Sequence, residues 1–162
     1  MYGFITWLES TGVSTALRNT TWVWPTCESI HFIGLTMLIG AAGFFDLRLM
    51  GFMRRVPIAA AKSFMPYGIA GLALNLVTGT LFFIMRPSMY AFSAAWWAKV
   101  FFIVLAGLNA MLFETTLGAR VLTLGPGEAP PTSFRIVGCV SLLSWFAVLY
   151  FGRMLPYIGT GN

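Results

Sequence analysis

The stretch Trp22-Val-Trp-Pro-Thr-Cys-Glu-Ser-Ile-His-Phe-Ile-Gly-Leu-Thr-Met-Leu-Ile-Gly-Ala-Ala-Gly-Phe-Phe45 decides the fold. After Pro25 it is apolar on every side, interrupted by one Glu and one His. A bilayer core of about 30 Å needs about 20 residues of helix, and lipid offers no partner to an unpaired backbone amide. The stretch therefore predicts a membrane-spanning helix over about 24–45. Segments of the same character follow at about 64–85, 96–117 and 134–156. Connections as short as these imply an up-down-up-down antiparallel four-helix bundle, an all-α fold in one membrane domain over 1–162.

Composition agrees. The 162 residues are 58% hydrophobic and 9% charged, with a mean hydropathy of +0.81. Soluble domains run nearer about 25% charged, so a solvated enzyme and a disordered chain are excluded. The net charge of +5 comes from cations scattered among apolar spans. They form no stripe that could follow phosphates, which excludes a nucleic-acid partner. They suit topology and headgroup contacts instead, with the lipid bilayer as partner.

Residues 2–19 differ. Phe4, Ile5, Trp7, Leu8, Val13 and Leu17 mix with Glu9, Ser10, Thr11, Ser14 and Arg18, the pattern of a helix lying in the interface. Met1-Tyr2-Gly3-Phe4 has no basic start and no cleavage site follows, so no cleaved signal peptide is expected. Arg48, Arg54, Arg55, Lys62, Arg120 and Arg135 fall on one side, against Arg18, Arg86, Lys99 and Arg153 on the other. The positive-inside bias places both termini outside, which is the periplasm for a bacterial inner membrane. Trp7, Trp22, Trp24, Tyr90, Trp96, Trp97 and Tyr157 form an aromatic belt on that outer side. The 125–131 loop, with Pro126, Pro130 and Pro131, cannot be helical.

His31 is the one histidine of the chain. An ionisable group within a span marks a candidate functional site. Glu28, Cys27 and Gly34 lie three or four residues away, expected on the same helix face. Three readings stay open. In one, His31 is the axial ligand of haem b; Gly34 admits the flat macrocycle, Glu28 orients the imidazole, and Arg86, Lys99 and Arg153 face the propionates. The sixth iron position would be empty, or filled by Met154, Met85 or Met89, or two chains would share the haem. In another, Cys27, Glu28 and His31 hold copper or zinc, completed across an oligomer. In the third, His31 and Glu28 are a polar pair holding a cofactor-free scaffold or accessory subunit together. Haem would make the protein a small b-type cytochrome passing single electrons to a quinone or a periplasmic redox partner.

At the other side, Asp46, Arg48, Glu114 and Arg120 read as neutralising pairs near the headgroups, or as the mouth of a sparse proton path with Asn75, Thr78, Thr80, Asn109, Ser141 and Ser144. Small residues Gly34, Gly40, Gly43, Gly68 and Gly71 permit close helix contact within or between chains, and a homo-oligomer is expected. Cys27 and Cys139 are too few for a disulfide framework. No phosphate loop, Ser-His-Asp set or paired-His metal motif is present, so no catalytic residue is assigned.

The pattern Trp22-Val-Trp-Pro25, Glu28-x-x-His31-x-x-Gly34, Gly40 and Asp46-Leu-Arg48-Leu-Met-Gly51 resembles a family of uncharacterised bacterial four-helix inner-membrane proteins. Thr78-Gly79, Pro87, Tyr90, Lys99, Asn109 and Gly152-Arg153 extend the likeness along nearly the whole chain. The resemblance implies a four-span bundle and marks Glu28, His31, Asp46 and Arg48 as functional positions. It implies no activity. Members of that family often carry a His near the inner end of the third span, where this chain has Glu114. The arrangement is similar, at the level of fold only, to membrane b-type cytochromes and copper-resistance membrane proteins.

Overall fold

The computed structural model describes residues 2–158. All of its regular structure is helical: α1 (Tyr2–Ser10), α2 (Gly12–Asn19), α3 (Val23–Met50), α4 (Ile58–Lys62), α5 (Met65–Met85), α6 (Pro87–Ala91), α7 (Ala94–Thr116), α8 (Gly118–Val121) and α9 (Thr132–Met154). Four helical stretches, α3, α4 with α5, α7 and α9, are long and apolar enough to cross a membrane. The connection before Thr132 is not helical.

The first long helix outruns its expected end. It continues past Phe45 to Met50 and stops where Gly51 takes φ +97°, a left-handed turn that a side chain would resist. Asp46 and Arg48 are therefore helical and buried, not part of a loop. The interval 2–19 is two helices, not one. Thr11 breaks it, its hydroxyl receiving the Ser14 amide as an N-cap. The pair lies against the bundle. Ile5 and Ser14 are buried, Ser14 donates to the Ile84 carbonyl at 2.8 Å, and the Glu9 carboxylate accepts from the Ser88 amide and hydroxyl.

Helix α3 is the hub. It packs on α5 along one side and on α9 along another, while α7 packs on α9. The α3–α5 seam is set by small residues. A Cβ at Gly71 would sit 2.5 Å from the Gly34 carbonyl oxygen and 2.7 Å from the Leu38 nitrogen. One at Gly68 would meet Ala41 Cβ at 3.2 Å. Gly138 does the same for α9, 2.8 Å from the Asp46 carbonyl oxygen. The α7–α9 seam uses rings and an amide: Phe102 stacks on Phe151 with centroids 5.8 Å apart, and Asn109 Nδ2 donates to the Val137 carbonyl at 3.1 Å. The backbones of α5 and α7 stay apart along most of their length, and Phe83 stacks on Trp96 across the gap with centroids 5.6 Å apart. The bundle is open along that side.

Gly71→Ala should lower stability by about 1–3 kcal/mol, because the added methyl meets backbone, which cannot swing away. Gly40→Ala has nothing within 4 Å and should be neutral or slightly stabilising, Ala being the better helix former. Denaturation of both variants in detergent, followed by circular dichroism, checks the contrast.

Candidate functional site

The open side between α5 and α7 holds two cavities, separated by Leu38, Leu72, Ile103 and Trp145, which line both. The cavity at the His31 end has a volume of ≈ 520 Å³, within the about 300–1,000 Å³ of small-molecule sites. Its walls are apolar and aromatic, with Phe83, Trp96, Trp97 and Trp145 among them. His31 from α3, Asn75 and Thr80 from α5, and Lys99 from α7 are the polar side chains that reach it. Phe4 and Ile5 of α1 also line it.

His31 is held firmly. Its Nδ1 lies 2.7 Å from Thr78 Oγ1, whose single proton is donated to the Leu74 carbonyl at 2.7 Å. The threonine oxygen is thus an acceptor toward the imidazole, and Nδ1 carries the hydrogen. Nε2 then keeps its lone pair, and among the described residues it has no hydrogen-bond partner. The ring edge also meets Phe82, with centroids 5.6 Å apart, and Phe82 in turn meets Trp24. Lys99 is the cation of the cavity, its ammonium 6.0 Å from the Trp96 ring centre. Asn75 is half-buried, and both atoms of its carboxamide lack a hydrogen-bond partner.

The residues expected around a haem do not assemble. Glu28 is exposed while Cys27 and Gly34 are buried, so the shared face is not shared. Successive steps of three residues turn a helix back by roughly 60°, which carries Glu28 to the surface when Gly34 faces the core. The space beside Gly34 is filled: a Cβ there would sit 2.8 Å from Asn75 Oδ1 and 2.9 Å from the Gly71 carbonyl oxygen. It is a helix-packing position, with no room for a macrocycle. Arg86 is exposed and lies over the Trp24 ring at 5.1 Å, and Arg153 is exposed. Neither lines the cavity, and neither do Met85, Met89 or Met154. Among the described residues no three His, Cys, Asp or Glu side chains converge on a metal position, so Cys27, Glu28 and His31 do not form the copper or zinc cluster.

The cavity at the other end, ≈ 380 Å³, is lined by Asp46, Asn109, Glu114 and Ser141 among apolar residues. The neutralising pairs expected there are different. Lys62 Nζ binds Glu114 Oε2 at 2.9 Å, in place of Arg120. Asp46 and Arg48 do not pair with each other. Asp46 is 4% exposed with Oδ2 unpartnered; Arg48 is fully buried, with Nε donating to the Val56 carbonyl at 2.7 Å and both terminal nitrogens unpartnered. The sequence marks Phe4 and Ile5 only as part of the interfacial pattern and Trp145 only as apolar, and points to none of them as a lining residue of the site.

Thr78→Val should free the imidazole at little cost in packing. The expected loss is roughly 0.6 kcal/mol, the usual worth of a hydrogen bond between membrane helices. The ¹⁵N shifts of His31 should change from a single Nδ1–H tautomer to a mixture, which nuclear magnetic resonance of ring-labelled protein reads directly.

No family model, no curated protein and no solved structure matches the chain, so only its own geometry bears on what the cavities hold.

Proposed function

We propose that the chain is an antiparallel four-span protein of a bacterial inner membrane, both termini periplasmic, that binds a lipid-soluble quinone-type ring in the His31 cavity. The observation that carries this reading is the convergence of His31, Asn75 and Lys99 on an apolar slot that opens sideways between α5 and α7. A ligand dissolved in lipid reaches such a slot without crossing water. The polar groups suit both states of a quinone. Lys99 Nζ and Asn75 Nδ2 donate to the carbonyl oxygens of the oxidised ring. His31 Nε2, an acceptor while Nδ1–H is tied to Thr78, receives a hydroxyl of the reduced ring. The bond to Asn75 supplies a partner that its buried carboxamide otherwise lacks. The first-span likeness to four-helix inner-membrane proteins supports the membrane placement.

Haem b on His31 is the second reading, and one observation favours it: the imidazole is anchored through Nδ1 with Nε2 open, as axial histidines are. The rest fits poorly. The slot offers one iron ligand and one cation, and the Gly34 face is closed. An electron-transfer role through haem therefore ranks below quinone binding.

Purified protein in lipid nanodiscs, titrated with decylubiquinone, should show saturable quenching of tryptophan emission, since Trp96, Trp97 and Trp145 line the slot. Lys99→Met and His31→Ala should each weaken binding about tenfold, the factor that corresponds to about 1.4 kcal/mol. Linear, unsaturable quenching unaffected by either change would reject the quinone. A reduced-minus-oxidised spectrum with a Soret band lost in His31→Ala would replace it with haem. For orientation, alkaline phosphatase fused to the C-terminus should be active in the periplasm, and a cytoplasmic reporter at the same point silent.

A further inference from the structure

The slot is polarised along its length. At the His31 end its charged lining residue is Lys99; at the other end the acidic lining residues are Asp46 and Glu114, with no Lys or Arg in the wall. Glu114 is half-exposed and already neutralised by Lys62 at 2.9 Å. Asp46 is not. Among the described residues no cation comes within ion-pair reach of it, it is 4% exposed, and Oδ2 has no hydrogen-bond partner. Ser141 is a hydrogen-bonding neighbour of the carboxyl, but a buried carboxylate that keeps one oxygen unpartnered and has no cation is costly. The wall around it is aromatic, with Phe45, Phe113 and Trp145, and ring faces attract cations. Asn109 commits one Nδ2 hydrogen to the Val137 carbonyl, which leaves its second N–H and its amide oxygen for other partners.

From these features we infer that the Asp46 cavity is a second ligand site, which takes an ammonium group carried on an alkyl or lipid chain. The ammonium donates to Asp46 Oδ2 and lies among the rings, and its hydrocarbon body leaves between α5 and α7 as in the neighbouring cavity. This site is independent of what the His31 cavity binds. The ammonium comes either from a free lipophilic amine or from an aminophospholipid headgroup.

The test is equilibrium binding of tritiated dodecylamine to the full-length protein in phosphatidylcholine nanodiscs, with empty nanodiscs subtracted. Binding should saturate near one per chain and resist dodecanoate, which has the same tail and the opposite charge. Asp46→Asn should weaken it at least tenfold, and Glu114→Gln by less than threefold. Nanodiscs enriched in phosphatidylethanolamine separate the sources: suppression of the dodecylamine signal assigns the site to the headgroup, and an unchanged signal assigns it to a free amine. Either result, with saturation, upholds the site. Unsaturable binding, or competition by dodecanoate equal to that by unlabelled dodecylamine, overturns it in the unaltered protein even if Asp46→Asn fails to fold. Full-strength binding by a folded Asp46→Asn variant overturns it as well.

Discussion

The close approach of α3 and α5 at Gly34 and Gly71 governs the rest of the architecture. There the two backbones come close enough that a Cβ on either glycine would meet the other's carbonyl oxygen, with the Asn75 carboxamide lying beside Gly34. In lipid, tails are as apolar as leucine, so helices associate by van der Waals fit and by hydrogen bonds that small residues bring into range. The contact at Gly34 is what carries Thr78 to His31 and lays Asn75 against α3. It also draws α5 away from α7. Since α7 is held to α9 by Phe102, Phe151 and Asn109, the two outer helices of the set are fastened to different partners, and the gap between them is a consequence of that division.

A gap lined by leucine and phenylalanine would collapse or fill with lipid tail. This one is kept distinct by the Leu38, Ala42, Ala106, Trp145 and Val148 cluster, which bridges it midway, and by polar groups of opposite charge above and below. The N-terminal helices close its His31 end. Ile5 is buried there, Tyr2 stacks on Phe92 with centroids 4.8 Å apart, and Glu9 accepts from Ser88. With that end covered, the widest separation in the walls is the one between the α5 and α7 backbones, which the Phe83–Trp96 stack spans at one end.

The helical bundle was legible in the sequence because its signal is composition over length. Spans expected at 64–85 and 96–117 differ by a residue or two from α5 and α7. Asp46 and Arg48 were harder, since charged residues at the edge of an apolar run read as its end. The helix runs on because Gly51, not Asp46, supplies the stop. Gly34 and Gly71 showed as small residues, yet their pairing needed the register of two helices, and Gly138 was not singled out at all. His31 was visible as the chain's one histidine, set inside an apolar span. Its company was misjudged, because spacing of three or four was read as identity of face. Taking about 100° per residue, Cys27 and Gly34 point nearly together, His31 is turned aside by roughly 40°, and Glu28 by roughly 100°. The burial of these residues follows that order: buried, buried, half-buried, exposed. The true neighbours of His31, Thr78 and Lys99, lie on other helices and carry no local signature.

Unmet polar groups are not spread evenly through the chain. Among the described residues the buried side-chain atoms without partners belong to Asp46, Arg48 and Asn75. An unsatisfied buried donor or acceptor costs about 1–3 kcal/mol, a large fraction of the about 5–15 kcal/mol that holds a domain folded. A sequence selected for packing alone would replace Asn75 with Leu and Asp46 with Ala. Both residues face cavities, Asn75 the one with Lys99 and Asp46 the one with Glu114. Local rules are broken in folded proteins chiefly where function requires it, and here the breaks coincide with the two cavities. A bound molecule offering an acceptor at one end of the slot or a cation at the other would recover the missing interactions, so ligand binding and helix packing stabilise the same arrangement.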